Sequence, residues 1–126
     1  MSAAPLPVEI CLHAVSKTLE VGFDDGRRFS LPAEYLRVRS PSAEVRGHGV
    51  GNEILQTGKR GVAILSVEQV GHYALRLVFD DGHRNGLYTW EYLYELGTRQ
   101  SEYWQAYLTR LDEAGASRDP DPSAFS

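Results

Sequence analysis

The chain has 126 residues, 42% of them hydrophobic and 24% charged, with a formal net charge of −4. That length points to one domain, large enough to bury a core without disulfides or a metal. The acidic balance excludes a global basic footprint for nucleic acid, and the lone Cys11 forms neither an internal disulfide nor a multi-thiolate metal site. No run approaches the roughly 18 apolar residues that cross a bilayer.

The first fifteen residues, MSAAPLPVEICLHAV, have no basic start, and Pro5, Pro7 and Glu9 interrupt them, so they are not a secretory signal. The expectation is a cytoplasmic protein of bacterial type. Val8, Ile10, Leu12 and Val15 alternate with polar or small residues for most of their span, which predicts a half-buried strand, with Cys11 as a small buried hydrophobe. Lys17 to Phe23 reads as a second strand, with Leu19, Val21 and Phe23 on one face. Asp24-Asp25-Gly26 supplies a tight turn, Arg28 to Leu31 returns, and Pro32-Ala-Glu-Tyr-Leu reads as a brief helical turn.

Residues 40–62 hold five glycines and no sustained period, which predicts a long loop. The stretch from Arg37 to Arg60 carries a local excess of three positive charges, the one mildly basic region. Val62 to Val70 is strand-like with a slip that suggests a bulge, Gly71 turns the chain, and Tyr73 to Phe79 alternates cleanly. A second Asp-Asp-Gly follows at 80–82 and the chain returns over Arg84 to Tyr88. Thr89 is placed to cap a helix over Trp90–Leu96, with Gly97 as the residue just past its end. A further helix from about Ser101 to Ala114 puts Tyr103, Trp104, Tyr107, Leu108 and Leu111 on one face. The last dozen residues, 115–126, read as a disordered tail.

The chain states one pattern twice. FDDGRRFSL at 23–31 and FDDGHRNGL at 79–87 lie 56 positions apart, followed by PAEYL at 32–36 and TWEYL at 89–93 with one inserted residue. Two hairpins, each followed by a helix, predict an α+β domain with a small, mostly antiparallel sheet and C-terminal helices packed on it. The repeat is either an old duplication or two independent uses of one good turn. Only the second copy has a histidine, His83, where the first has Arg27.

No constellation supplies catalysis. There is no His-x-Asp, no His-Glu-x-x-His, no Gly-x-Ser-x-Gly around Ser40, Ser42 or Ser66, and GHGVG at 47–51 is no Walker sequence. Its glycines read as positive-φ backbone, with an anion-binding nest beside Arg46 as the sharper alternative. His48 and His83 are the one histidine pair the topology would bring together. With Glu44 or the turn aspartates Asp80 and Asp81 they would make only a weak metal site.

The segment LRVRSPSAEVRGHG and the run GHYALRLVFDDGHRNGLYTWEYLYELG resemble the gamma-butyrobetaine hydroxylase N-terminal-like domain family. The resemblance covers roughly residues 7–97, leaving 98–114 as an added helix. It implies a small domain found at the N-terminus of such hydroxylases, alone in bacteria, and fused to iron–sulfur carrier ATPases. The family's hydroxylases hold a structural zinc through Cys-x-Cys-x-x-Cys and a histidine. Those positions fall here on Ser40, Ser42, Val45 and His83, so the thiolates are absent, no cofactor is expected, and His83 reads as the remnant of a metal site. The resemblance also leads to the expectation that the chain lacks the oxygenase domain of those relatives. The resulting expectation is a non-catalytic accessory module that binds another protein through Ser40, Ser42, Arg46, His48 and His83, and binds neither nucleic acid nor membrane. The alternative is a weak metal-handling domain linked to iron–sulfur cluster assembly.

Overall fold

The structure is a computed structural model that describes residues 4–47 and 53–120. Strands β1 (Pro7–His13), β2 (Thr18–Phe23) and β3 (Arg28–Pro32) form one antiparallel sheet in the order β1-β2-β3, followed by helix α1 (Ala33–Val38). Strands β4 (Ile64–Val70), β5 (Ala74–Phe79) and β6 (Leu87–Thr89) form a second antiparallel sheet in the order β4-β5-β6, followed by α3 (Trp90–Thr98). A short helix α2 (Ala43–Arg46) lies between the two units, and α4 (Gln100–Glu113) closes the domain. The class is α+β as expected, with the antiparallel strands apportioned between two sheets.

The repeat extends well past its turns. Gly26 and Gly82 both hold the left-handed backbone that a glycine tolerates, at φ 89° and 90°. The carboxylates of Asp25 and Asp81 accept from the amides of Arg27 and His83, at 2.9 and 3.1 Å. Leu19 pairs with Leu31 as Leu75 pairs with Tyr88. Even the irregularities match: β1 slips register between Pro7 and Glu9, and β4 between Ile64 and Ser66. The expected bulge in the fourth strand is therefore real, and the first strand has its twin.

Contacts between the units are reciprocal. The Tyr35 hydroxyl on α1 donates to the Leu96 carbonyl of α3 at 2.7 Å, and the Tyr92 hydroxyl on α3 donates to the Arg39 carbonyl at the end of α1 at 2.6 Å. The Tyr94 hydroxyl holds Asp25 of the first turn at 2.6 Å, and Arg37 Nε holds Asp81 of the second at 2.8 Å. Each turn is thus anchored on the other unit's helix. Exchange of equivalent contacts in both directions is the signature of an approximate twofold axis. The helix contacts repeat along with the turn, so the likeness covers a whole unit packed on a second like it and is more than one reused turn.

The core lies between the two sheets and their helices. Leu19, Val21, Phe23 and Leu31 from one unit meet Leu75, Leu77, Phe79 and Tyr88 from the other, with Leu36, Leu93 and Leu96 from α1 and α3. Full burial of each such leucine contributes about 1.5–3 kcal/mol. Tyr107 and Leu111 on the predicted face of α4 form a second cluster with Val38.

Five expectations change. Val15 lies fully exposed in the turn after β1, and Cys11 is only half-buried, because β1 is an edge strand covered on one side alone. A helix, α2, interrupts the long loop. Gly97 sits inside α3 rather than past its end, and an added Cβ there would run into the Phe29 ring. Its role is close packing, not capping. Finally, residues 115–120 of the expected tail dock on the domain, and 121–126 lie outside the described residues. The amides of Gly58 and Arg60 donate to the carbonyls of Ser117 and Arg118, and Arg118 grips the buried Glu34 with two hydrogen bonds of 2.7 and 2.8 Å. Replacing Arg118 with alanine strands that carboxylate and is expected to cost about 1–2 kcal/mol, read as a lowered thermal midpoint at neutral pH. An unchanged midpoint would show that the tail contact carries no stability.

Candidate functional site

The site grows from local rules at two segments. Pro41 cannot continue α1, so the chain turns at Ser40, and the Ser42 hydroxyl caps α2 by accepting from the Glu44 amide at 3.1 Å. Opposite, the second Asp-Asp-Gly turn presents His83. Gly86 lets the two segments meet: a Cβ at that position would lie 2.4 Å from Ser40 Oγ and 3.1 Å from Pro41 Cδ.

The segments lock through one histidine. Ser40 Oγ lies 2.8 Å from His83 Nε2, and Glu44 Oε2 lies 3.2 Å from His83 Nδ1. Asn85 donates to the other Glu44 oxygen at 2.8 Å. A carboxylate can only accept, so Nδ1 carries the proton and Nε2 accepts from the serine hydroxyl. The Ser42 amide then completes Ser40 by donating to its oxygen at 3.3 Å. Every partner in the chain is satisfied. The His83 side chain is 3% exposed, and burial followed by the nearby Arg37 charge lowers its pKa, with Glu44 opposing. The neutral imidazole is the form this setting favours.

Behind the histidine, Asp81 sits between two cations. Burial would raise its pKa, but hydrogen bonds from Lys59, the His83 amide and Arg37 hold it down to about 2. Arg37 Nε and Lys59 Nζ both contact the same oxygen at 2.8 Å.

Serine, histidine and glutamate in series have the connectivity of a hydrolytic triad. The surroundings refuse the role. Ser40 is 0% exposed, so no substrate carbonyl reaches its oxygen. The arrangement acts as a latch that ties α2 to the second turn. It does not fit zinc either. Both serine hydroxyls are already engaged, Val45 offers no donor, and the affinity of such sites comes from several soft deprotonated ligands. Among the described residues no group of three or more His, Cys, Asp or Glu is placed to hold a metal ion.

Of the residues singled out from sequence, Ser40, Ser42 and His83 come together here. Arg46 faces the neighbouring side of α2, its guanidinium 5.1 Å from the Tyr92 ring centroid. His48 lies outside the described residues. Glu44 joins the latch as an acceptor, where the sequence offered it as a metal ligand. Arg37, Lys59 and Gly86 were not singled out. The available signal was Asn85-Gly86, which stands where the first copy has Phe29-Ser30 and marks where the second copy departs from the first. No described helix is long and apolar enough to cross a membrane.

Residues 10–94 match the family described as gamma-butyrobetaine hydroxylase-like, N-terminal. The chain is similar to a protein whose solution structure was determined by NMR, at 52% identity over 98% of both chains with a TM-score of 0.83. A second NMR structure is 50% identical over 94% of this chain and 89% of the other, with a TM-score of 0.80. A crystal structure of a DUF971-family protein of unknown function from Acidithiobacillus ferrooxidans is 42% identical, covering 72% of this chain and 91% of that one, with a TM-score of 0.61. No curated protein matches the chain.

Proposed function

Because the chain belongs to the gamma-butyrobetaine hydroxylase-like N-terminal family, we propose that it is the family's small domain acting as a non-catalytic accessory module that binds a cytoplasmic protein partner. One observation carries the reading. Among the described residues, the one constellation with catalytic connectivity is sealed: Ser40 is 0% exposed and serves as a hydrogen-bond bridge. The latch fixes the face formed by α2 and residues 53–56 on the folded core. That face presents Arg46 and the half-exposed Ile54, a mixed polar and apolar surface of the kind partners use. The metal-handling alternative has the donor set against it.

The test is capture of a protein partner by the immobilised chain, repeated with Arg46 and His48 both changed to alanine. Saturable capture by the native chain, lost in a double variant that keeps its thermal midpoint, is the expected result. Equal capture by both would remove the α2 face as the contact. Stoichiometric zinc or iron in untagged protein, lost in His83→Ala, would replace this reading with metal handling.

A further inference from the structure

A cleft of about 90 Å³ opens between the end of α1, α2, residues 53–56 and α4. Its floor is buried and largely apolar, made by Val38, Val45 and Tyr107. Three guanidinium-bearing residues from three separate elements line it: Arg39, Arg46 and Arg110. Two are braced by rings, with Arg39 Cζ 4.0 Å from the Tyr103 centroid and Arg46 Cζ 5.1 Å from the Tyr92 centroid. Arg110 reaches the Glu53 carbonyl at 3.2 Å. Glu53 also lines the cleft. Among the described residues, Arg28, Arg37, Arg60, Arg76, Arg99 and Arg118 each form an ion pair with a carboxylate, whereas Arg46 is held against a ring, Arg39 by a ring and a carbonyl, and Arg110 by a carbonyl. A guanidinium stacked on a ring is weakly hydrated and pre-oriented for a planar oxyanion.

We propose that this cleft is a carboxylate site that receives an acidic side chain of a protein partner. Three converging cations outnumber the single acidic residue of the lining, Glu53, and so favour an anion, and the fork of an arginine matches a carboxylate edge to edge. The size of the cleft argues for the source. It admits a head group and little more, so the bulk of the ligand lies outside, over the exposed Ile54 and the exposed face of α4. The proposal rests on the interaction-module reading and names the chemistry of the partner's contact.

The experiment is a titration of the full ¹⁵N-labelled chain, followed by NMR, with a hexaglutamate peptide, with succinate, and with sodium chloride at matched ionic strength. Saturable shifts of the Arg46, Leu55 and Gln56 amides are expected with the peptide, at least about tenfold tighter than with succinate. Arg46 and Arg110 are both exposed, so the variant R46Q/R110Q keeps the fold, checked by its spectrum, and loses the binding by about tenfold or more. Shifts that sodium chloride reproduces, or that persist in the double variant, would overturn the site. Succinate binding as tightly as the peptide would overturn its assignment to a protein-borne carboxylate. Peptide binding without capture of any partner would fell the module reading and leave the cleft standing. Capture that R46Q/R110Q leaves intact would overturn the cleft as the contact and leave the module.

Discussion

Replacing Gly97 with alanine lowers the stability of the domain by about 2 kcal/mol, against the usual direction for a glycine inside a helix. Helix propensity alone favours alanine by about 1 kcal/mol at an interior position. Packing opposes it more strongly. The new Cβ would lie 2.3 Å from Phe29 Cγ and 2.5 Å from Cδ2, well inside contact distance. The ring has little room to retreat, since Phe23 and Tyr94 meet it edge-on at centroid distances of 5.9 and 5.6 Å. The measurement is the urea midpoint of Gly97→Ala beside that of Gly97→Ala combined with Phe29→Ala. The pair should be strongly non-additive, because removing the ring removes the clash. A stabilised single variant would mean that α3 shifts freely and that the close approach is not a constraint.

Substitution of His83 by alanine is the second large effect, about 3 kcal/mol. It opens a cavity beside Phe79, whose ring lies 6.1 Å from the imidazole, and it leaves the buried Ser40 hydroxyl without its partner. The same residue sets a pH dependence. The folded pKa lies below the unfolded value of 6.5, so the unfolded chain binds the proton more readily. Stability is therefore full above pH 6.5 and falls as pH drops through the folded value. Asp81, shifted from 3.8 to about 2, adds a second acid window at lower pH. Unfolding free energy measured at pH 7 and about pH 5 should decline in the native chain and stay flat in His83→Gln, which has no proton to gain. An equal slope in both would assign the acid sensitivity elsewhere.

Much of this molecule was legible in its sequence because the repeat is written in residues with backbone consequences. Asp-Asp-Gly fixes a turn, alternating Leu, Val and Phe fix the faces beside it, and the two spans could be read without a partner. The family resemblance located the Ser40–Ser42 segment opposite His83, and the structure brings them to hydrogen-bond distance. What sequence reasoning could not reach depends on objects far apart in the chain. Gly97 looks like a helix end until Phe29 is seen against it. Val15 continues an alternation, yet β1 has only one neighbouring strand and the core does not extend to its end. Arg118 sits in a Pro- and Asp-containing tail that reads as disordered, and only the buried Glu34 explains why it docks. Arg39, Arg46 and Arg110 are separated by α2 and most of the chain, so their convergence on one cleft carries no local signal.

The crossed anchoring of the two turns also dictates how the chain must fold. Its fastening hydrogen bonds close long stretches of sequence: Asp25 waits for Tyr94, 69 residues on, and Tyr35 waits for Leu96, 61 residues on. The entropy of closing such loops must be met before either fastening forms, so contacts of this separation slow the search and gather the gains into a late step. A nascent chain that has emerged only as far as the first unit holds its Asp-Asp-Gly turn with no helix to receive it. The domain is therefore committed to folding only once the second unit has emerged, and to losing both halves together when it unfolds.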